Sequence, residues 1–440
     1  VSDLYHIVDE IVAQNIGKRI WVAFSGGVDS HVLLHLLATT NHPDLTTIHA
    51  IHIDHGLSPD STSWAQHCAE VAKNLNIVFS CKKVEVKNIA SLGMEAAARS
   101  ARYLALQQGM TENDVLLTAQ HKNDQAETLL LQLLRGAGPK GLSAMAKEFQ
   151  LGETSVERPL LTVPQSTILA YAEHHQLQWI DDPSNVETRW NRNYIRHNVW
   201  PVIEQRWPAA SRTLSRSAEH CAEASELLDE LAQQDLAQLG VDCETGCLPV
   251  SKLLSLSSSR CRNLLRHFLI WKQLPLPSTA CLHRVIDEVC LAKPDSMPIV
   301  SWQDVEVRRY QDQLYFMSPL SKHATHQVIT CNGIKEVVFA EDQVLTWQKA
   351  NEGIDEKLIK AGLTIRFRQG GERIKPQGQS HHKTLKHLFQ QWAIPPWQRD
   401  RIPLLFGGDE LVAVVGYCIS DSAIVSKGQQ GYFPILKNSK

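Results

Sequence analysis

The chain has 440 residues, with 44 Lys and Arg against 47 Asp and Glu and a formal net charge of −3. That length suits two to four domains with real cores, and the charge argues against wholesale coating of nucleic acid while allowing local basic patches. No run reaches the roughly 18 apolar residues of a membrane span, and Val1-Ser2-Asp3-Leu4 lacks the basic and apolar regions of a secretion signal, so a cytoplasmic protein with no membrane partner is expected.

Residues 3–15 read as an amphipathic helix. Ile20 to Phe24 is a short apolar run of the kind that forms a strand buried on both faces. Ser25-Gly26-Gly27-Val28-Asp29-Ser30 follows, and then Val32 to Leu37 with helical spacing. A strand, a glycine turn and a helix N-terminus make an anion site, because the N–H groups of the first turn are unpaired and the helix dipole is positive there. Gly26 and Gly27 remove the Cβ atoms that would block a phosphate, and Ser25 and Ser30 add hydroxyls. Asp29 fits such a site only through a metal ion or a proton. The plainer alternative is a tight strand–helix turn, but neither the Gly-Lys-Ser/Thr pattern nor G-x-G-x-x-G is present.

Thr47 to Asp54 reads as a second strand, ending in Asp54-His55-Gly56-Leu57. Ser58-Pro59-Asp60-Ser61 caps a helix running to about Leu75. Ile77 to Val84 is a third strand, residues 94–108 a helix carrying Glu95, Arg99, Arg102 and Tyr103, and Val115 to Ala119 a fourth strand. Such alternation predicts a doubly wound parallel sheet, with functional loops at the carboxyl ends of its strands. The fourth strand runs into Gln120-His121-Lys122-Asn123-Asp124-Gln125-Ala126-Glu127-Thr128. Asp124 is the expected N-cap there, with Glu127 three residues on. A plain capping box explains those two, but it does not need His121 or Gln125. Arg135-Gly136-Ala137-Gly138-Pro139-Lys140 ends the helix as a flexible basic loop and a glycine C-cap.

Between 186 and 216 six arginines (189, 192, 196, 206, 212, 216) face two acids, and Trp190, Tyr194, Trp200 and Trp207 are interleaved. Arginine beside aromatics suits RNA, where phosphates take the charge and unstacked bases take the rings; a solvated helix face with aromatics packed inward is the alternative. Ser211 to Leu239 is one long helix. Residues 245–316 mix helices (Leu253–Trp271, Thr279–Leu291) with a hairpin near Ile299–Phe316, and His267 and His283 read as structural. Residues 319–360 read as a linker. Between 361 and 403 eight Lys/Arg face two acids, with Arg366, Arg368, Arg373 and Lys375 leading into a helix over Lys383–Gln391. Leu404 to Tyr417 reads as a hairpin with Gly407-Gly408-Asp409 at its turn. The expected division is therefore 1–210, a mostly helical 211–318, a linker 319–360, and a small α+β domain 361–440.

Ser25–Ser30 resembles the pyrophosphate loop of the ATP pyrophosphatases. In order along the chain stand that loop, Ile53-Asp54-His55-Gly56-Leu57, Ala98-Arg99 with Arg102-Tyr103, and His121-x-x-Asp124-Gln125-x-Glu127-Thr128. Arg135-Gly136-x-Gly138, Arg158-Pro159-Leu160-Leu161, Asp181-Asp182-Pro183-Ser184-Asn185 and Arg192-Asn193-x-Ile195-Arg196 follow. The series resembles the tRNA(Ile)-lysidine synthetases over about the first 200 residues, and the C-terminal third is also similar.

The resemblance implies that ATP adenylates the C2 carbonyl oxygen of the wobble cytidine of tRNA(Ile) with a CAU anticodon. Free L-lysine then attacks C2 and expels AMP, which changes the codon read from AUG to AUA. It implies ATP contacts at Ser25, Gly26, Gly27, Val28, Asp29, Ser30, Asp54 and His55, with Mg²⁺ held through the phosphates at Asp29. Asp124, Gln125 and Glu127 are the lysine-binding candidates. Asp29, Asp124, Arg99, Arg102 and Arg196 are the catalytic candidates, and Arg135, Arg192, Arg196, Arg366, Arg368, Arg373 and Lys375 the tRNA-binding ones.

The nearest alternative is a tRNA sulfurtransferase with the same loop, acting on cytidine or uridine. The ten scattered cysteines contain no Cys-x-x-Cys pair, and Cys243 and Cys247 have no histidine nearby, which fits reduced thiols better than a sulfur-delivery, zinc or disulfide scaffold. A glutaminase-linked ligase would need a nucleophilic cysteine with triad partners, which no segment supplies. An RNA-binding protein without activity would not need the polar loops at 25–30 and 121–128.

Overall fold

The computed structural model describes residues 2–40, 42, 47–56, 58–86, 94–241, 246–293, 296–321, 323, 326–340, 343–425 and 429–438. Leu57, Cys243 and the side chain of Glu95, all named above, lie outside what it describes. Two compact units divide at Leu231/Ala232.

The first unit is built on a six-stranded sheet in the order β3-β2-β1-β4-β6-β5. Its strands are β1 Arg19–Ala23, β2 Ile48–Asp54, β3 Val78–Lys83, β4 Asp114–Leu117, β5 Glu148–Leu151 and β6 Thr154–Glu157. All neighbours pair in parallel except β5, which closes the edge antiparallel to β6. The first four strands fall where the apolar runs place them. The β5–β6 hairpin was not among the expected elements, because each strand spans only four residues around Gly152, whose φ of +64° makes the turn.

Helices cover both faces, as a parallel sheet requires. α1 (Ser2–Gln14), α2 (Val28–Thr39), α3 (Ser61–Asn74) and α6 (Gln165–His174) share one core, in which Val22, Phe24, Leu33, Leu34, Cys68, Val115, Leu160 and Tyr171 are buried. α4 (Met94–Gln107) covers the other face, with Leu106 against Ile51, Leu116 and Val156. α2 is buried almost all round, so its start, the phosphate-type loop, is held rigidly. α5 (Lys122–Leu134) meets Trp200 and Ala210 through Ala126. Residues 191–206 run as a short α-helix, a π-turn over Ile195–Val199 and a second α-helix. α7 (Ala210–Leu239) is the expected long helix; the boundary between units falls inside it rather than at its start.

In the second unit, Leu239 joins a core with Val250, Leu264, Phe268 and Leu314. The expected helix over Leu253–Trp271 is two helices, Val250–Ser255 and Ser258–Trp271; the Ser257 side chain caps the second by accepting from Arg260 N. The expected hairpin is part of a four-stranded sheet of β7 Leu248–Pro249, β8 Ile299–Trp302, β9 Val305–Tyr310 and β10 Gln313–Met317.

Residues 319–360 are not a linker. They carry β11 Ile329–Cys331, β12 Val337–Ala340 and β13 Gln343–Ala350, then a helix over Glu356–Lys360. β11 opens a five-stranded sheet with β14 Leu363–Arg366, β17 Leu404–Gly407, β18 Glu410–Val414 and β19 Cys418–Ile419. A small ribbon of β15 Arg373–Ile374 and β16 Lys383–Thr384 lies in the same region. β13 pairs along its whole length with β20 Gly431–Asn438, from Gln343 against Asn438 to Ala350 against Gly431. Leu345, Ile354 and Ile359 are buried in one core with Leu363, Ile365 and Leu405. Short strands whose partners are distant leave little local signal, which is why this stretch read as irregular. No helix among the described residues is long and apolar enough to cross a membrane.

Candidate active site

In the order β3-β2-β1-β4 the chain winds outward in both directions from β1. The crevice beyond the carboxyl ends of β1 and β4 is then the binding position in such sheets. Three loops end there: those after β1, β2 and β4.

After β1, Gly26 has φ +86°, a conformation that favours glycine. A Cβ on Gly26 would stand 2.6 Å from Ile180 Cδ1, and Gly26 O accepts from Ile180 N at 2.9 Å, so the loop is pinned to the 178–181 segment. A Cβ on Gly27 would meet only Ser25 Oγ, at 3.5 Å, so that side of the loop is open. Gly27 is the N-cap of α2 and no side chain caps the helix, so its first-turn N–H groups carry no side-chain acceptor. Ser30 departs from its expected part. Its hydroxyl donates to Gly27 O at 3.0 Å and accepts from Ser25 N at 3.2 Å, so it braces the loop and is buried. Asp29 Oδ1 is buried without a hydrogen-bond partner. Burial, and then the nearby Asp124 charge, lift its carboxyl above the usual range against the pull of His121 and Arg196.

After β2, the buried Asp54 Oδ1 accepts from Gly56 N at 2.8 Å, shaping the turn that presents His55. Burial, reinforced by the Arg102 cation, pushes the His55 imidazole down to about 4, so the ring is neutral near pH 7. Its Nδ1 has no partner.

After β4, the helix cap is His121 and not Asp124. His121 Nδ1 accepts from Asp124 N at 3.4 Å, and Asp124 Oδ2 accepts from His121 N at 3.0 Å, a reciprocal box with Asp124 at its third helical position. With Nδ1 accepting, a neutral ring carries its proton on Nε2, which lies 3.7 Å from Asp29 Oδ1. The box turns Asp124 and Glu127 toward residues 191–206. Asp124 Oδ1 accepts from Arg192 Nη2 at 2.9 Å and Arg196 Nη2 at 3.0 Å. Glu127 Oε1 accepts from Arg196 Nε at 2.7 Å, and Oε2 from Arg196 Nη2 at 2.8 Å and Arg192 Nε at 3.0 Å. Burial opposes ionisation of Asp124, but His121 and the two guanidiniums outweigh it and hold its carboxyl low.

Asp29, Asp124, Glu127 and Arg196 are thus brought together, with Arg192 and His121 added. Gln125 is not with them. Its amide donates to Met145 O at 2.7 Å and accepts from Met145 N at 2.8 Å, so both of its ends are spent fastening the 143–146 loop, and the expected lysine contact is withdrawn. Arg99 and Arg102 stand apart on an exposed stretch of α4, Arg99 Nη2 donating to Tyr103 Oη at 3.3 Å and Arg102 beside His55. Arg135 is exposed at the end of α5. In the second unit Arg366 donates to Gly408 O at 2.7 Å, Arg368 to Asp400 at 3.2 Å and Lys375 to Asp421 at 2.8 Å, while Arg373 is exposed.

A profile of the PP-loop domain matches residues 3–203. One of the TilS substrate binding domain matches 248–315, and one of the TilS substrate C-terminal domain matches 363–435. A tRNA(Ile)-lysidine synthase of Coxiella burnetii is 43% identical over 411 residues, covering 93% of this chain and 91% of that protein. The chain belongs to the tRNA(Ile)-lysidine synthase family. A tRNA(Ile)-lysidine synthase of Pectobacterium atrosepticum is 40% identical over 426 residues and covers 96% of both chains. In this lysidine synthase family member the PP-loop match contains all three strand-end loops. The buried Arg158 is a residue without an expected role: it donates to Gln120 Oε1 at 3.2 Å and lies over the Phe149 ring at 4.7 Å. Gly152 between two short runs was the sequence signal for the hairpin that delivers it.

Proposed function

We propose that this chain joins free L-lysine to C2 of the wobble cytidine of tRNA(Ile) with a CAU anticodon, using ATP and releasing AMP and pyrophosphate. The observation that carries this reading is the pair of carboxylates, Asp124 and Glu127, set beside an open glycine loop at the sheet's switch point. A cytosine carbonyl oxygen is a very poor leaving group, and adenylation makes it a good one.

In this reading the N–H groups of the first turn of α2 receive phosphate oxygens, with Ser25, which accepts from Gly27 N at 3.3 Å, and Ser30 keeping the loop in shape. Asp54 and His55 form the adjoining wall of the nucleotide site, the neutral imidazole adding no charge of its own. The unpartnered buried Asp29 Oδ1 fits a divalent cation. When bound, Mg²⁺ would offset phosphate charge there. Asp124 and Glu127 supply the negative charge that free lysine's ammonium groups require. The ε-amine, with an ordinary pKa of about 10.4, must lose a proton before attack, and Asp29, whose Oδ1 lies 3.7 Å from His121 Nε2, is the alternative candidate to receive it where it does not hold the cation. Arg99, Arg102 and Arg196 are the cations available to the α-phosphate and the departing AMP. Arg135 and Arg192 in the first unit, and Arg366, Arg368, Arg373 and Lys375 in the second, are the proposed phosphate contacts to tRNA.

The test is incubation with ATP, Mg²⁺, labelled lysine and a tRNA(Ile) transcript bearing CAU, counting label retained on RNA. Label that disappears when the wobble cytidine is replaced is the expected result. RNA-dependent pyrophosphate release without lysine incorporation would overturn the choice of nucleophile.

A further inference from the structure

The carboxylates assigned to lysine are already occupied by the protein's own cations. Each of their four oxygens accepts a hydrogen bond. Asp124 Oδ2 is taken by His121 N, Asp124 Oδ1 by both arginines, Glu127 Oε1 by Arg196, and Glu127 Oε2 by both arginines. Two guanidiniums against two carboxylates make the cluster neutral overall, so an arriving ammonium meets little attraction and must displace a forked, charge-assisted bond. Glu127 is almost fully buried, which strengthens each of those bonds.

Only another anion can release an arginine without stranding its charge. A guanidinium fork fits phosphate as well as carboxylate. Arg196 already interacts with Asp29 of the glycine loop, where phosphate is proposed to sit. The Arg192 and Arg196 side chains are about a quarter and a third exposed, so neither is encased. Arg196 also lies in the π-turn Ile195–Val199, a rare form often found at functional sites, whose return to α geometry would re-aim its side chain.

We propose that Arg192 and Arg196 are internal counter-ions that keep the lysine-recognising carboxylates closed until nucleotide phosphate draws Arg196 away. Lysine capture then follows nucleotide, and the amine is admitted only when something is present to activate the cytidine. The inference rests on the reading of Asp124 and Glu127 as the lysine pair.

The experiment is equilibrium dialysis of labelled L-lysine against the full chain, with and without α,β-methylene-ATP and Mg²⁺. Lysine should bind about tenfold more tightly with the analogue. By linkage, lysine should tighten the analogue by the same factor. Without nucleotide, Arg192→Ala should bind lysine several-fold more tightly than the wild type, while Arg192→Lys should stay near it. Wild-type lysine affinity that is unchanged by the analogue overturns the lock. That comparison needs no variant, so it stands even where Arg192→Ala fails to fold. Glu127→Gln separates the two levels. Loss of lysine binding in it, with no nucleotide effect in the wild type, sinks the lock alone. Full lysine binding by Glu127→Gln with the analogue present sinks the parent reading.

Discussion

Arg192 and Arg196 in the first unit share two carboxylates through five hydrogen bonds of 2.7 to 3.0 Å, around a nearly inaccessible Glu127. In the second unit Arg366 donates to Thr364 Oγ1 and Gly408 O and lies 3.8 Å from Asp409, Arg368 and Lys375 each pair with one partly exposed carboxylate, and Arg373 is exposed. The residue types are alike but the physics differs. A buried ion pair broken on one side leaves an uncompensated charge and costs about 3–5 kcal/mol. An exposed pair contributes roughly 0–1 kcal/mol and is screened by salt. The first cluster can therefore select and gate a small cation, while the second suits a long polyanion whose register is set elsewhere.

The largest expected effect breaks the buried cluster. Asp124→Asn should lower lysine transfer by about a thousandfold or more, the scale on which preorganised charge acts, and undiminished turnover would remove Asp124 from the chemistry. Glu127→Gln should also destabilise the fold by about 3–5 kcal/mol, read from urea unfolding, because Arg196 loses its main partner. Gly26→Ala comes next. With φ at +86° and Ile180 in the way, it should cost about 1–2 kcal/mol and weaken binding of an ATP analogue by about tenfold. A native-like affinity would show that the loop re-forms.

A third test concerns pH. Burial holds the His31 imidazole, on α2 behind the loop, down to about 4. The unfolded chain binds that proton below about pH 6.5 while the folded one does not until near 4. Stability should therefore be complete above about 6.5 and fall as pH drops through that window, by on the order of 3 kcal/mol in all. His31→Gln should flatten that part of the melting-temperature profile; an unchanged slope would assign it to other groups. The smallest effect belongs to the exposed face. Arg373→Ala should weaken tRNA binding about two- to fivefold at low salt and less at high salt, with the melting temperature unmoved. A loss that persists at high salt would make Arg373 more than a phosphate contact.

Much of the first unit was legible because its signals are local. Apolar runs long enough to cross a sheet, turns rich in glycine and helix starts at strand ends place the loops at 25–30, 54–57 and 120–128 without any knowledge of packing. The strands at 148–157 escaped because each spans four residues, and those at 329–350 because β11 and β13 pair with strands distant in sequence. The spacing of Asp124 and Glu127 marks a cap, but a histidine ring takes the N-cap's part and only the hydrogen bonds reveal that.

The parallel sheet, the anion-binding loop and the ordered series of motifs by which the family is identified can all be read along the chain, because each depends on residues a few positions apart. Which side chains meet is a matter of packing. Glu127 faces arginines 65 and 69 positions away, Gln125 is spent on Met145, and the supposed linker completes a core. Those outcomes depend on how distant segments pack, and the burial that packing creates is what turns four ordinary charges into one closed cluster.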